Sequence, residues 1–363
     1  MKIGVPKEIK VLESRVSLTP ESVQSLTAAG HEVFVETQAG EGSGCADAAY
    51  AEAGAQIVAA AQEVFARAEL IVKVKEPQLQ ECAMLRPHHV LFTYLHLAAV
   101  PDIAAALCES GCTAIAYETV TAPAGGLPLL KPMSAVAGRL AVQAGATALQ
   151  KSQGGSGILL GGAAGMAPAR VLILGAGVAG SNAAEVAVGM QADVTVVDRT
   201  PKNRERVRAE LGQSLQMAAP EQIAELAPQA DLIIGAALAA GAKAPKLITR
   251  DMLRSMRPGS VLVDISIDQG GCFATSRPTT LAEPTYVVDG IVHYCVTNMP
   301  GDVPRTSTYA LNHATLPFVH VLADKGWEQA CEDDPHLAEG LNVQAGEIHH
   351  PAVAAALAPG KAQ

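Results

Sequence analysis

Four side chains suited to carboxylate binding and proton transfer, Arg15, Lys75, His96 and Asp268, lie far apart in the chain, yet each follows an apolar run that reads as a strand. Arg15 falls in the long loop after Lys2–Val5, Lys75 follows Leu70–Val74, and His96 follows Val90–Tyr94. Thr113–Ala116 runs into Tyr117-Glu118-Thr119, while Asp268 comes after Val261–Ile265 and Asn298 after Val292–Val296. Ligands of open parallel sheets gather beyond the carboxyl ends of the strands, so a guanidinium, an ammonium and an imidazole are expected on one rim. That set suits a small α-amino or α-keto acid. Arg15 can grip a carboxylate by a two-point fork, and Lys75 can polarise a keto oxygen or add a second carboxylate contact. Histidine is the side chain whose ordinary range suits acid–base work near neutral pH, which makes His96 the candidate.

Each residue also has a plainer reading. Arg15 sits among Lys7, Glu8, Lys10 and Glu13 and could form a surface salt bridge. Lys75 beside Glu76 could be a solvated pair, His96 a satisfied structural histidine, and Asp268 beside Gln269-Gly270-Gly271 a turn former. Their shared position at strand ends favours the chemical reading.

The run Gly175-Ala176-Gly177-Val178-Ala179-Gly180 follows the strand-like Val171–Leu174 and opens the helical Ser181–Met190. Gly175 suits the tight turn, Gly177 lets the backbone approach a pyrophosphate, and Gly180 lets helix and strand pack closely. The helix start offers unpaired N–H groups to phosphates. Val194–Val197 then ends in Asp198, at the separation from the glycine turn where such folds place a ribose-binding acid. An acid there can bind both ribose hydroxyls and would repel a 2′-phosphate, so NAD is the expected cofactor. Asp268 would sit near the nicotinamide edge and could manage protons on an imine and a carbinolamine.

These residues need a scaffold, and the chain supplies one in two parts. Thr19-Pro20-Glu21 opens a helix that Gly30 can end, and strand-like and helical stretches alternate from Lys2 as far as Leu130. A helix-like stretch from Ser134 to about Lys151 leads to a second set of strand candidates: Val171–Gly175, Val194–Asp198, Leu232–Gly235, Val261–Ile265, Tyr286–Val288 and Val292–Val296. After Pro304 the pattern is helical again through Thr306–Ala323. The expected fold is α/β: two doubly wound, Rossmann-like domains joined by two crossing helices, with a cleft between them. Residues 1–130 plus 305–363 would form the substrate domain and 131–304 the NAD-binding domain.

Composition removes other classes. At 363 residues the chain exceeds the roughly 250–300 at which one hydrophobic core stops growing. Hydrophobic residues make up 49% and charged ones 17%, so it is no disordered chain, and with 3% aromatics the core must be aliphatic. A formal charge of -10 argues against a nucleic-acid partner. Apolar runs are too short and broken to span a bilayer, and Met1-Lys2-Ile3-Gly4-Val5 reads as a strand, not a signal peptide. Seven cysteines, none in a CxxC pair, point to reduced thiols and a cytoplasmic location.

At these residues the sequence resembles the alanine dehydrogenase family, which includes the NAD-binding subunit of proton-translocating transhydrogenase. The likeness is carried by Glu13-Ser14-Arg15-Val16, Lys73-Val74-Lys75-Glu76-Pro77, Phe92–Ala98, Ala116–Thr119, Pro132-Met133-Ser134 and Gly175–Gly180. It continues through Gly241–Pro245, Val263–Gly271, Asn298-Met299-Pro300 and Thr306–Leu311, and spans about residues 1–345. The resemblance implies reversible oxidative deamination of L-alanine by NAD to pyruvate, ammonia and NADH. It implies that Arg15 and Lys75 bind substrate, and that His96 and Asp268 are the catalytic pair; Glu118 and Asn298, placed just past strands, are further substrate-binding candidates. Ser134, Gly175, Gly177, Val178, Ala179, Gly180, Asp198, Ala237, Leu238, Ile265, Ser266, Ile267, Val296, Thr297 and Met299 would line the cofactor site. It further implies a homohexamer.

The sequence departs from the family at Ser14, where an aromatic residue is usual, and at Asn203, where a basic residue often helps hold the adenosine end. Some relatives hold magnesium on the late helix; the matching positions here are Val321 and Lys325, so no such metal is expected. Rival readings are the transhydrogenase subunit, which should lack the Lys75 and His96 pair, a saccharopine-type or other small amino-acid dehydrogenase, and a non-enzymatic NAD-binding protein. The last has no use for Arg15, Lys75, His96 and Asp268 together.

Overall fold

The computed structural model describes residues 1–212, 215–237 and 244–358. In chain order the first strands are β1 (Lys2–Val5), β2 (Glu32–Glu36), β3 (Gln56–Val58), β4 (Leu70–Val72), β5 (Val90–Thr93) and β6 (Thr113–Ala116). Between β1 and β2 runs helix α1 (Pro20–Ala28), capped by Thr19, whose extended backbone lets its side chain accept the Ser22 N–H. Helix α2 (Lys131–Ala148) leads to β7 (Arg170–Leu174), α3 (Val178–Gly189), β8 (Asp193–Val197), β9 (Leu215–Ala218), β10 (Leu232–Gly235), β11 (Val261–Asp264), β12 (Thr285–Val288) and β13 (Ile291–Tyr294). The long helix α4 (Pro304–Lys325) follows, and then the hairpin of β14 (Leu341–Gln344) and β15 (Glu347–Ile348).

The chain divides into two compact units, Met1–Met133 with Val303–Gln363, and Ser134–Asp302. In the first, the sheet order is β15-β14-β6-β5-β4-β1-β2-β3, and in the second β12-β13-β11-β10-β7-β8-β9. Both are doubly wound: strands one to six of each unit's parallel set stand in the order 3-2-1-4-5-6. The strand order reverses between β1 and β4 in one sheet and between β7 and β10 in the other. A crevice at the carboxyl ends is built in at such a point.

Helices on both faces explain why the strands read as unbroken apolar runs. Every residue of β4, β5, β6, β10, β11 and β13 is buried. Phe34, Phe65, Leu91, Leu95 and Leu107 anchor the first unit's core, and Leu172, Ile233, Leu262 and Phe273 the second's.

Three features differ from the sequence reading. The short strands β3 and β9 are present where no strand was expected, because each needs only a few residues to extend an existing parallel ladder. The first sheet gains an antiparallel edge, since β14 pairs with β6 from the far end of the chain. The strand read as Leu70–Val74 stops at Val72, although the Lys73 N–H still donates to Phe92 O at 3.1 Å.

Candidate active site

In the first unit, Arg15, Lys75 and His96 follow β1, β4 and β5, so the switch point lies between the first two of them. Arg15 is 2% exposed, which rules out a surface salt bridge. Its Nε donates to Glu13 Oε1 at 2.6 Å and its Nη2 to Glu13 Oε2 at 2.5 Å, while Nη1 meets Met133 Sδ at 3.1 Å. Glu13 thus holds the guanidinium through Nε and Nη2. A cavity of about 290 Å³ opens beside Glu8, Glu13, Ser14 and Arg15.

Lys75 is held by its backbone, whose N–H donates to Glu8 Oε1 at 3.3 Å and whose carbonyl accepts from Thr93 Oγ1 at 2.9 Å. Burial depresses its pKa; Glu76 works against that shift and Arg15 adds to it. Beneath it, Lys73 is fully buried between Glu8 at 3.0 Å and Glu81 at 2.8 Å. Burial raises the Glu8 carboxyl, while the ammonium of Lys73 and the Val74 N–H pull it back. The two flanking carboxylates outweigh burial at Lys73 and raise its pKa. The sequence reading passed over this triad. Its signal was a lysine inside the apolar run Ile71–Val74, which can be buried only with counter-charges.

His96 has a left-handed backbone, φ 50°, in the turn after β5. Glu118 holds that turn: its Oε1 accepts the His96 N–H at 2.6 Å and its two oxygens each take the Leu95 N–H at 3.2 Å. The same carboxylate lies 3.8 Å from His96 Nδ1. The imidazole, about two-fifths exposed, stacks on Tyr94 with ring centroids 5.7 Å apart. Tyr94 is anchored by donation to Leu129 O at 2.5 Å and packs edge-on against Tyr117, which donates to Lys73 O. Glu118 thus sets the histidine's turn through two backbone N–H groups.

In the second unit, the glycines of the β7–α3 turn have distinct tasks. Gly175 has φ +112°, and a Cβ there would lie 2.7 Å from Ala236 O; one on Gly180 would lie 1.7 Å from Gly175 O. Gly177, the N-cap of α3, faces open space. That open cradle at a helix start fits a pyrophosphate. Close approach recurs at Gly138 of α2, where a Cβ would lie 2.1 Å from Ala179 O. Asp198 directly follows β8, its Oδ2 accepting the Ala176 N–H at 2.8 Å and its Oδ1 the Thr200 N–H at 2.7 Å. Asn203 reaches Oδ1 at 3.4 Å. Val178 and Ala179 open α3, and Ser134 lies within α2.

Buried Asp264, the last residue of β11, organises the loop that carries Asp268. It accepts the N–H groups of Ser266 at 3.1 Å and Cys272 at 2.8 Å and the Ser276 hydroxyl at 2.5 Å, and burial raises its pKa despite them. Ile267 and exposed Asp268 form a single 3-10 turn, Ile265 N–H donates to Gly235 O, and Ser266 Oγ donates to Ala237 O at 2.9 Å. Leu238 lies outside the described residues, as do Gly241-Ala242-Lys243. Past β13, Val296 and Thr297 pair with Thr279, Asn298 takes a left-handed φ of 62°, and Met299 starts the next turn. On α4, Lys325 pairs with Asp333 at 2.6 Å, and Val321 is half-buried.

Among the described residues no helix is long and apolar enough to cross a membrane, and all seven cysteines are free thiols. Two family models match: alanine dehydrogenase/PNT, N-terminal domain, over residues 4–137, and alanine dehydrogenase/PNT, C-terminal domain, over residues 141–351. An alanine dehydrogenase from Halomonas elongata is 58% identical over 98% of this chain and 96% of its own length. A solved L-alanine dehydrogenase superposes with a TM-score of 0.95 at 50% identity, covering 99% of this chain and all of that one. A transhydrogenase from Sinorhizobium meliloti superposes with a TM-score of 0.82 at 28% identity, covering 97% of this chain.

Proposed function

Because the chain belongs to the alanine dehydrogenase/PNT family, we propose that it catalyses the reversible reaction of L-alanine, NAD and water to pyruvate, ammonium, NADH and a proton. What carries the reading is that a buried guanidinium, a lysine of depressed pKa and a histidine follow three strands beside the first sheet's switch point. A small acid has both a grip and a proton carrier there. A glycine-cradled helix start and an acid directly after β8 supply the dinucleotide half.

A dinucleotide held by the Gly175–Gly180 turn and Asp198 would supply the hydride acceptor for the substrate Cα. Arg15, held by Glu13 on one edge, binds the substrate carboxylate, and Lys75 neutralises the same end of the molecule and polarises the keto oxygen of pyruvate. His96 moves the proton as water adds and ammonia leaves, using Nε2, since Nδ1 faces Glu118. Asp268, exposed on its 3-10 turn, steadies the positive charge that develops on the substrate nitrogen. Asp198 binds the adenosine ribose and disfavours a 2′-phosphate, so NAD is used in preference to NADP. Asn298 closes the substrate end of the second unit. The same proposal takes the enzyme to be a cytoplasmic homohexamer.

The test follows NADH absorbance with L-alanine and NAD, then with NADP, serine and glycine in turn, and light scattering reads the assembly. NADH formation with alanine and NAD is expected. No turnover with alanine at any pH between 7 and 10, given intact dinucleotide binding, would end the proposal.

A further inference from the structure

Outside the residues assigned to that reaction, the first unit gathers three metal-binding side chains from distant parts of the chain. His320 and Asp324 stand one helical turn apart on α4 and so share one face. His31, 9% exposed, lies between the end of α1 and the start of β2. His31 Nε2 is 2.9 Å from Asp324 Oδ1, and one ligand atom from each of the three residues lies within 4.8 Å of the others. We propose that His31, His320 and Asp324 form a site for one divalent transition-metal ion of the zinc class.

The donor set selects the ion. Two imidazoles and a carboxylate suit zinc, cobalt or nickel, whereas magnesium prefers an all-oxygen shell. Bonds of about 2.0–2.2 Å in a tetrahedral site put ligand atoms about 3.3 Å apart, so the three need to close by only an ångström or so. His320 and Asp324 are not buried and can turn to do so. The fourth position falls to water. Val321 and Lys325, the next residue along from each helical ligand, take no part.

A supporting contact is already in place. Ser25 Oγ lies 2.9 Å from His320 Nε2. A metal-bound imidazole donates its second N–H to such a partner. With Nε2–H donating to Ser25, His320 offers the Nδ1 lone pair. At His31 the ion takes Nε2, the nitrogen that faces Asp324. Nothing is oxidised or reduced. The ion would clip α4 to the turn between α1 and β2 of its own unit.

The experiment titrates chelator-treated full-length protein with zinc chloride by calorimetry, and with cobalt(II) followed by its visible absorption. Expected are one ion per chain and an affinity at least tenfold weaker in His320→Ala and in Asp324→Asn. Both variants should keep wild-type melting temperatures without metal and wild-type alanine turnover, because neither residue belongs to the proposed machinery. Zinc binding that is unchanged in both variants, being held by cysteines or other histidines, overturns the site, as does a wild type that binds no ion.

Discussion

Glu118 Oε1 accepts the backbone N–H of His96 at 2.6 Å and lies 3.8 Å from the same residue's Nδ1. One carboxylate thus fixes both the left-handed turn and the ring's rear edge. Non-glycine residues take this conformation at a cost, and asparagine at the least cost. His96→Asn should therefore keep the fold while removing the proton carrier. Turnover of alanine should fall roughly 10²–10⁴-fold with the melting temperature and NAD affinity unchanged. Glu118→Ala should lower kcat through a loosened turn, and Glu118→Gln, which keeps one acceptor oxygen, should recover part of the loss. Wild-type kcat in both Glu118 variants would refute the positioning role.

The two helix-start glycines separate stability from binding. Gly177 faces open space with φ -71°, so alanine fits the protein there. It does not fit a dinucleotide lying against the turn. An intrusion of about 1–3 kcal/mol corresponds to a roughly 5–150-fold rise in KM for NAD, with little change in unfolding. Gly180→Ala would drive a methyl to 1.7 Å from Gly175 O, so it should cost roughly 3 kcal/mol of stability by denaturant unfolding. Equal behaviour of the two variants would contradict the assignment.

Lys73 is wholly enclosed between Glu8 and Glu81. Lys73→Met strands two buried carboxylates, and breaking a buried pair in this way costs about 3–5 kcal/mol. Adding Glu81→Gln should restore part of it, since one stranded charge is removed. Urea unfolding of the single and double variants measures both. Glu8 sets the accompanying pH trend. Its folded pKa is raised by burial, so the native state holds a proton that the unfolded chain has lost, and its contribution falls as pH rises from the ordinary carboxylate range through the raised value. Glu8→Gln should flatten that slope.

Much of this was legible from the chain alone, for identifiable reasons. Buried parallel strands announce themselves as apolar runs, and Gly175–Gly180 carries its own strand and helix context. The residues after β1, β4 and β5 are marked by position. What could not be read is pairing at a distance in sequence. Glu8 follows β1 while its partner Lys73 follows β4, and β14 returns past the whole second unit to pair with β6. Arg15 shows the middle case: its charged neighbourhood suggested a surface salt bridge, but Glu13 holds it buried. His31 and Asp324 share the difficulty, because nothing near either one in the chain hints at the other.

Lys75 provides the sharpest pH test. Burial penalises its ammonium, Arg15 adds a like charge, and the pKa lies below the ordinary 10.5 although Glu76 opposes the shift. Between the lowered value and 10.5 the unfolded chain holds more protons, so this residue's contribution to stability rises with pH across that window. Below the window the penalty is complete. At neutral pH, Lys75→Met should therefore raise the denaturation midpoint while kcat/KM for pyruvate amination falls roughly 10²–10⁴-fold. In the wild type, pyruvate binding should weaken as pH climbs through the lowered pKa, because the ammonium that neutralises the keto acid is lost. Lys75→Arg stays charged throughout; although its broader head costs activity, its alkaline fall should move to higher pH. An alkaline limb at the same pH in both proteins would remove Lys75 from substrate binding.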